Sequence, residues 1–234
     1  MIELFPEGFE EGERGGGLEL AAYTNSEGAA KLWRAFGEYA WSEVPEAWQT
    51  RWREFHRPVR IGPLWVGPPW LEPEPDAVAV VIDPGRAFGT GAHPTTQVCL
   101  ELICELSGTR GGNLLDVGCG SGVLAIAAAK LGFSPVVALD HDEVTLTTAR
   151  ENARANDVSL DLRLLEALED ELPPADLIVA NVSATIVEAL AARVSAGRFL
   201  SSGYLASESP HLPGFSLLER RIRDGWAADL WKPI

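Results

Sequence analysis

From Val78 onward the chain alternates between short unbroken apolar runs and stretches whose apolar positions recur every three or four residues. The runs VAVVI (78–82), NLLDV (113–117), PVVALD (135–140), LDLRLL (160–165) and ADLIVAN (175–181) have the length and β-branched content of buried strands. HPTTQVCLELICEL (93–106) predicts a helix with Val98, Leu102 and Leu106 on one face. SGVLAIAAAKLG (121–132), EVTLTTARENARAND (143–157) and ATIVEALAARV (184–194) predict three more helices. RFLSSGYLA (198–206), FSLLERRIR (215–223) and WAADLWK (226–232) close the chain as strands. Apolar strands alternating with amphipathic helices predict an α/β domain: a doubly wound, mostly parallel sheet covered on both faces, with right-handed crossovers.

The first third reads differently. GFEEGER (8–14) and GLELAAY (17–23) predict two strands joined at Gly15-Gly16-Gly17. Ser26 is a good N-cap for a helix running to about residue 38, and a second helix is expected over 46–56, with Trp48, Trp52 and Phe55 on one face. RPVRIGPLWVGPPWLEPEPD (57–76) is too rich in proline for a helix. The division expected is a small α+β domain over 1–57, a linker over 58–77 and a Rossmann-like domain over 78–234.

The densest chemical signal is Asp116-Val117-Gly118-Cys119-Gly120-Ser121-Gly122, between a predicted strand and helix. Glycines there allow a sharp turn and close approach of a ligand to the backbone. Asp140 follows 22 residues after Gly118, at the end of the next strand, where a carboxylate can bond a ribose hydroxyl pair. A dinucleotide fingerprint has its third glycine at the place held here by Val123; in this chain it comes one residue early, at Gly122. Asp116 would repel a pyrophosphate and attract a cationic sulfonium or amino-acid group. These features favour S-adenosyl-L-methionine over a nicotinamide cofactor.

Two further segments sharpen this reading. Asp83 through Thr96, DPGRAFGTGAHPTT, is a glycine-rich loop opening a helix, with Thr95 and Thr96 in the first turn, where hydroxyls and free N–H groups can meet a cofactor carboxylate. Asn181 lies at the C-terminal end of a strand, where its side-chain oxygen can accept a hydrogen bond from a substrate amine. His93 is the only histidine beside the site, a candidate general base or else a helix-start residue.

Composition bounds the rest. Hydrophobic residues make up 46% and charged residues 23%, as in globular proteins, and no window reaches the ~20 apolar residues of a membrane span. The acidic start MIELFPEGFEEGE has neither a basic nor an apolar signal-peptide region. The three cysteines, Cys99, Cys104 and Cys119, are odd in number and lack metal-ligand spacing, so no metal is expected and a reducing cytoplasm fits. Nineteen Lys+Arg against 34 Asp+Glu gives a net charge of −15, which leaves no basic footprint for nucleic acid and permits a basic protein partner.

DPGRAFGTGAHPTT, followed by NLLDVGCGSGVLAIAAAKLG, ALDHD and DLIVANV, resembles the PrmA-type ribosomal protein methyltransferases. That resemblance implies S-adenosylmethionine as cofactor, and as substrate the lysine and N-terminal amines of the large-subunit ribosomal protein numbered eleven, at the stalk base. It implies cofactor binding by Thr96, Gly118, Asp140 and Asn181, with Phe88, Gly89, Thr90 and Gly91 closing over the methionine end. With Thr95, Asp116, Gly120 and Gly122 these make up the expected cofactor site, and Asn181 the residue orienting the amine. The family has a ferredoxin-like substrate-recognition domain, of which residues 1–44 accommodate only about half. It also usually inserts a helix where SSGYLASESPHLPGF passes quickly between strands. The alternatives are a methyltransferase of the same core acting on another protein lysine or a small molecule, and a non-catalytic S-adenosylmethionine-binding module. A nicotinamide-dependent oxidoreductase is disfavoured.

Overall fold

Prolines at 58, 63, 68, 69, 73 and 75 rule out a helix over residues 57–76, yet they leave room for short strands between them. The computed structural model describes residues 10–14, 17–21, 26–37, 57–83, 89–108 and 112–234. In it, β3 (Val59–Ile61) and β4 (Leu64–Gly67) form an antiparallel hairpin turning at Gly62-Pro63, and β4 pairs in parallel with β5 (Val78–Val81). Ile61, Leu64 and Val66 are buried in the main core cluster with Val80 and Ile82. The stretch 58–77 is therefore no linker but an integral layer. The 78–82 strand, expected in the main sheet, belongs to this separate three-stranded sheet. Prolines sit at the strand ends, where a missing N–H costs no ladder bond.

The chain divides into a smaller unit, Met1–Arg51, and a larger one, Trp52–Ile234. The boundary thus falls a few residues before the one expected. In the smaller unit β1 (Glu10–Arg14) pairs antiparallel with β2 (Gly17–Ala21), and α1 (Ser26–Phe36) follows. The expected turn at 15–16 and the helix at 46–56 lie outside the described residues.

The larger unit is built on β6 (Leu114–Val117), β7 (Val136–Asp140), β8 (Asp161–Leu164), β9 (Ala175–Asn181), β10 (Ala196–Leu205), β11 (Phe215–Arg223) and β12 (Trp226–Pro233). Their order in the sheet is β11-β12-β10-β9-β6-β7-β8. The five strands from β8 to β10 run parallel, and β12 is antiparallel to both its neighbours. The helices are α2 (Pro94–Ser107), α3 (Val123–Lys130), α4 (Glu143–Ala155) and α5 (Ala184–Ala191).

Side-chain alternation along each strand decides which helices cover which face. Leu114, Leu177 and Leu200 join Val98, Leu102, Ile126 and Ala149 of α2, α3 and α4 in one core cluster. Their neighbours Leu115, Ile178 and Phe199 point the other way, to Val187 and Leu190 of α5. No helix interrupts 206–214 between β10 and β11.

The antiparallel end of the sheet holds a buried polar network. Arg220 donates from Nε and Nη2 to the two oxygens of Asp229 at 2.7 Å each, and Tyr204 Oη donates to Oδ2 at 2.9 Å. Asp229 has no exposed surface.

The chain leaves β6 for β7 and β8 on one side, and β9 returns on the other side of β6. Ligand-binding crevices form at such a switch point, outside the C-terminal ends of the strands.

Candidate active site

A cavity of about 580 Å³ opens at that switch point. Its walls come from the ends of four strands: Val117–Gly120 after β6, Leu139–Asp142 after β7, Leu165–Glu169 after β8, and Asn181–Val182 at β9. Gly89 and Thr96 close it from the side of α2.

The glycine turn is shaped by its neighbours. Gly118 has φ +72°, and a Cβ there would lie 2.9 Å from Val182 Cγ1, so the turn passes β9 only because position 118 has no side chain. Gly122, the N-cap of α3 at φ +82°, would place a Cβ 3.3 Å from Ala149 Cβ, and its bareness lets α3 pack against α4.

Four amides of this turn, those of Gly118, Cys119, Gly120 and Gly122, are spent inside the protein. Gly118 and Cys119 donate to Leu139 O at 2.9 and 3.0 Å, and Gly122 donates to Cys119 O at 2.9 Å. Gly120 donates to Asp140 Oδ2 at 3.1 Å and Ala125 to Asp116 Oδ2 at 3.2 Å. A pyrophosphate would need such donors free and would also meet the Asp140 carboxylate, so the turn is unsuited to a dinucleotide. Asp140 is nearly buried; its second oxygen accepts from Asp142 N at 3.2 Å. A carboxylate has about four acceptor sites, which leaves capacity for the hydroxyls of a ribose.

Among the described residues two buried side-chain oxygens are without a hydrogen-bond partner: Asn181 Oδ1 and Asp116 Oδ1. Asn181 lines the cavity, and its Nδ2 lies 3.5 Å from Thr96 Oγ1, which leaves Oδ1 as the amide atom without a partner. An unsatisfied buried acceptor costs about 1–3 kcal/mol, a cost that a ligand N–H removes.

Asp116 lies beneath the turn rather than in its wall and caps the start of α3 from β6. Burial away from water pushes its carboxyl up to about 7, with the nearby Asp140 charge adding to the rise and the Ala125 N–H opposing it. Its expected role as a charge facing the ligand is therefore replaced by that of a buried support.

The remaining expected residues divide in the same way. Gly89, Thr96, Gly118, Gly120, Asp140 and Asn181 meet at the cavity. His93 is the N-cap of α2: its Nδ1 accepts from Thr95 N at 3.3 Å and lies 2.7 Å from Thr95 Oγ1. Its ring also stands edge-on to Trp226 at 4.8 Å. Thr95 is thus held by the cap, Gly91 sits against Val66 of β4, and Thr90 is half-buried between the two glycines. Phe88 lies outside the described residues.

Sequence reasoning missed the 165–169 segment, which walls the cavity beyond β8. Asp170 Oδ2 accepts from Glu166 N at 2.8 Å, and Arg193 donates to Ala167 O and Asp170 O at 3.2 and 2.9 Å. The rule that ligands sit outside the carboxyl ends of parallel strands, applied to β8, points to it. Among the described residues no group of three or more His, Cys, Asp and Glu side chains is placed to hold a metal.

A doubly wound sheet whose glycine turn spends most of its amides inside the protein, with a carboxylate one strand over and an unpartnered amide oxygen on a residue at the switch point, has the architecture of a class I methyltransferase. The methyl donor of such an enzyme is S-adenosylmethionine, and Asp140, Gly118, Gly120, Thr96 and Asn181 line the cavity at the switch point.

Comparison with known proteins takes the assignment to a family. The model of the family "Ribosomal protein L11 methyltransferase (PrmA)" matches residues 19–228, and the chain belongs to that family. A ribosomal protein L11 methyltransferase from an Exiguobacterium species is 38% identical over 84% of this chain and 68% of its own length. One from Symbiobacterium thermophilum is 40% identical over 82% of this chain and 67% of its own. The chain thus spans about two thirds of the length of these relatives. The crystal structure of a ribosomal protein L11 methylase from Lactobacillus delbrueckii subsp. bulgaricus superposes with a TM-score of 0.69 at 30% identity, covering 76% of this chain and 99% of that one.

Proposed function

We propose that this enzyme transfers methyl groups to amino groups, on lysine side chains and/or the N-terminus, of ribosomal protein L11 at the stalk base of the large subunit. The observation that carries an amine acceptor is the buried, unpartnered Oδ1 of Asn181 at the cavity. The family match and the names of the relatives support the protein substrate. The net charge of −15 suits a basic partner.

When bound, S-adenosylmethionine supplies a methyl group already activated on a sulfonium, so orientation of the acceptor is the main task left to the protein. Asn181 Oδ1 accepts one N–H of the incoming amine and thereby directs its lone pair. A lysine has a pKa near 10.4 in water and attacks only when neutral. Walls such as Val117, Leu124 and Leu139 withdraw it from water and favour the neutral form. His93 keeps its Nδ1 in the α2 cap, and in this reading it positions the helix that carries Thr96.

The smaller unit, in the same reading, recognises the ribosomal partner, and the chemistry stays within the larger one. Among the described residues no helix is long and apolar enough to cross a membrane. The cytoplasm, where the substrate resides, is the expected location.

The test is intact-mass measurement of ribosomal protein L11 after incubation with the enzyme and S-adenosylmethionine. Stepwise addition of methyl masses is expected. Asn181→Ala should lower kcat by about 10²–10³, as when one oriented hydrogen-bonding group is removed from a reaction site. Turnover near wild type in that variant refutes the role of Asn181, and an unmodified L11 with cofactor bound refutes the substrate.

A further inference from the structure

Asn152 of α4 is almost fully buried, lies outside the chemistry just described, and spends its amide on two segments distant in sequence. Its Nδ2 donates to Ser121 O in the glycine turn at 2.9 Å, and its Oδ1 accepts from Asp83 N at 3.0 Å, just past β5. Ser121, also fully buried, completes the arrangement by donating from Oγ to Gly89 O at 2.5 Å. Gly89 and the turn residues Gly118–Gly120 are walls of the cofactor cavity. Asp83 and Gly89 are thus both fastened to a single residue of the glycine turn, one through Asn152 and the other directly.

We propose that Asn152 and Ser121 act together as a clamp that positions Gly89 and the glycine turn for S-adenosylmethionine, so that both are positioning residues for cofactor affinity. The basis is directional. An amide side chain offers one donor and one acceptor at fixed geometry, so Asn152 matches one carbonyl and one N–H at once, and no apolar residue of its size can do so. Asn156, one turn further along, makes the informative contrast. It bonds both backbone groups of Val81, at 2.8 and 2.6 Å, and donates to Asn152 O at 2.8 Å, so it holds β5 to α4 without touching the glycine turn or the Asn152 side chain. The clamp rests on the cavity being the cofactor site.

The experiment titrates S-adenosylmethionine into the full chain and into Asn152→Ala, Ser121→Ala, their double variant and Asn156→Ala, well below each melting temperature. Each single clamp variant is expected to raise the cofactor Kd by about 10-fold, which is about 1.4 kcal/mol. The double variant should fall well short of the roughly 100-fold product of two independent effects, because both residues serve one clamp. At saturating cofactor kcat should stay within about twofold, since the amine-orienting group is untouched. Asn156→Ala should lower the melting temperature and leave the Kd unchanged. If Asn152→Ala fails to fold, Ser121→Ala, which removes only a hydroxyl, decides the matter. A Kd within twofold of wild type in Ser121→Ala and in any folded Asn152 variant overturns the clamp, as does an equal loss in Asn156→Ala. A wild-type chain that binds no S-adenosylmethionine overturns the cofactor site itself, and the two failures are distinct.

Discussion

Replacing Asp116 by Asn should reverse a pH dependence built into the core. Asp116 is 1% exposed, and its carboxyl is pushed up from 3.8 to about 7, chiefly by loss of water. A carboxyl raised in the folded state contributes fully to stability below its unfolded pKa, near 4, where it is protonated both folded and unfolded. Between 4 and 7 the native state keeps a proton that the unfolded chain releases, so stability falls by about 1.4 kcal/mol per pH unit, up to roughly 4 kcal/mol in all. Above 7 the loss is complete and the curve flattens. Asn is a neutral near-isostere whose carbonyl can still accept the Ala125 N–H, so the variant lacks this loss. Urea unfolding of both proteins from pH 4.5 to 8, followed by tryptophan fluorescence at constant ionic strength, gives the difference free of all other titrating groups. The Asn variant should gain on wild type steadily up to pH 7 at unchanged m-value. Two parallel curves, with an offset constant to within about 0.5 kcal/mol, would refute a charged-state cost at Asp116.

Three other outcomes follow from the geometry. Asp140→Ala removes the expected ribose partner and leaves the Gly120 N–H without its acceptor; calorimetry should show cofactor affinity lowered by at least about 10-fold, in line with one lost charge-assisted bond. Asp229→Ala leaves the half-buried Arg220 guanidinium and the buried Tyr204 hydroxyl without the carboxylate they bind. Such a loss costs about 3–5 kcal/mol in denaturant unfolding, with cofactor affinity of the folded fraction unchanged. Gly118→Ala brings a Cβ against Val182 at a positive φ; the strain, about 1–2 kcal/mol, should appear as a lower melting temperature together with weaker cofactor binding.

Much of the catalytic unit was legible because its signals are local. Unbroken apolar runs and period-3.6 patterning placed the strands and helices from Val78 onward, and the glycine turn, Asp140 and Asn181 fall at strand ends, where a doubly wound sheet gathers its ligands. Only the tertiary structure decided the rest. The proline-rich stretch reads as a linker because each of its strands is three or four residues long, and they are stable only as a layer buried on α2. Asp116 and His93 carry the residue types of a reacting site, yet one caps α3 from a neighbouring strand and the other caps α2, roles defined by the N–H groups that folding brings to them. Asn152 finds its partners 31 and 69 residues away, and the 165–169 wall depends on Arg193 from beyond the next helix. Periodicity records which face of an element is apolar, a property of neighbouring residues. A hydrogen bond between distant residues leaves no such trace, because its two ends become neighbours only when the sheet is assembled.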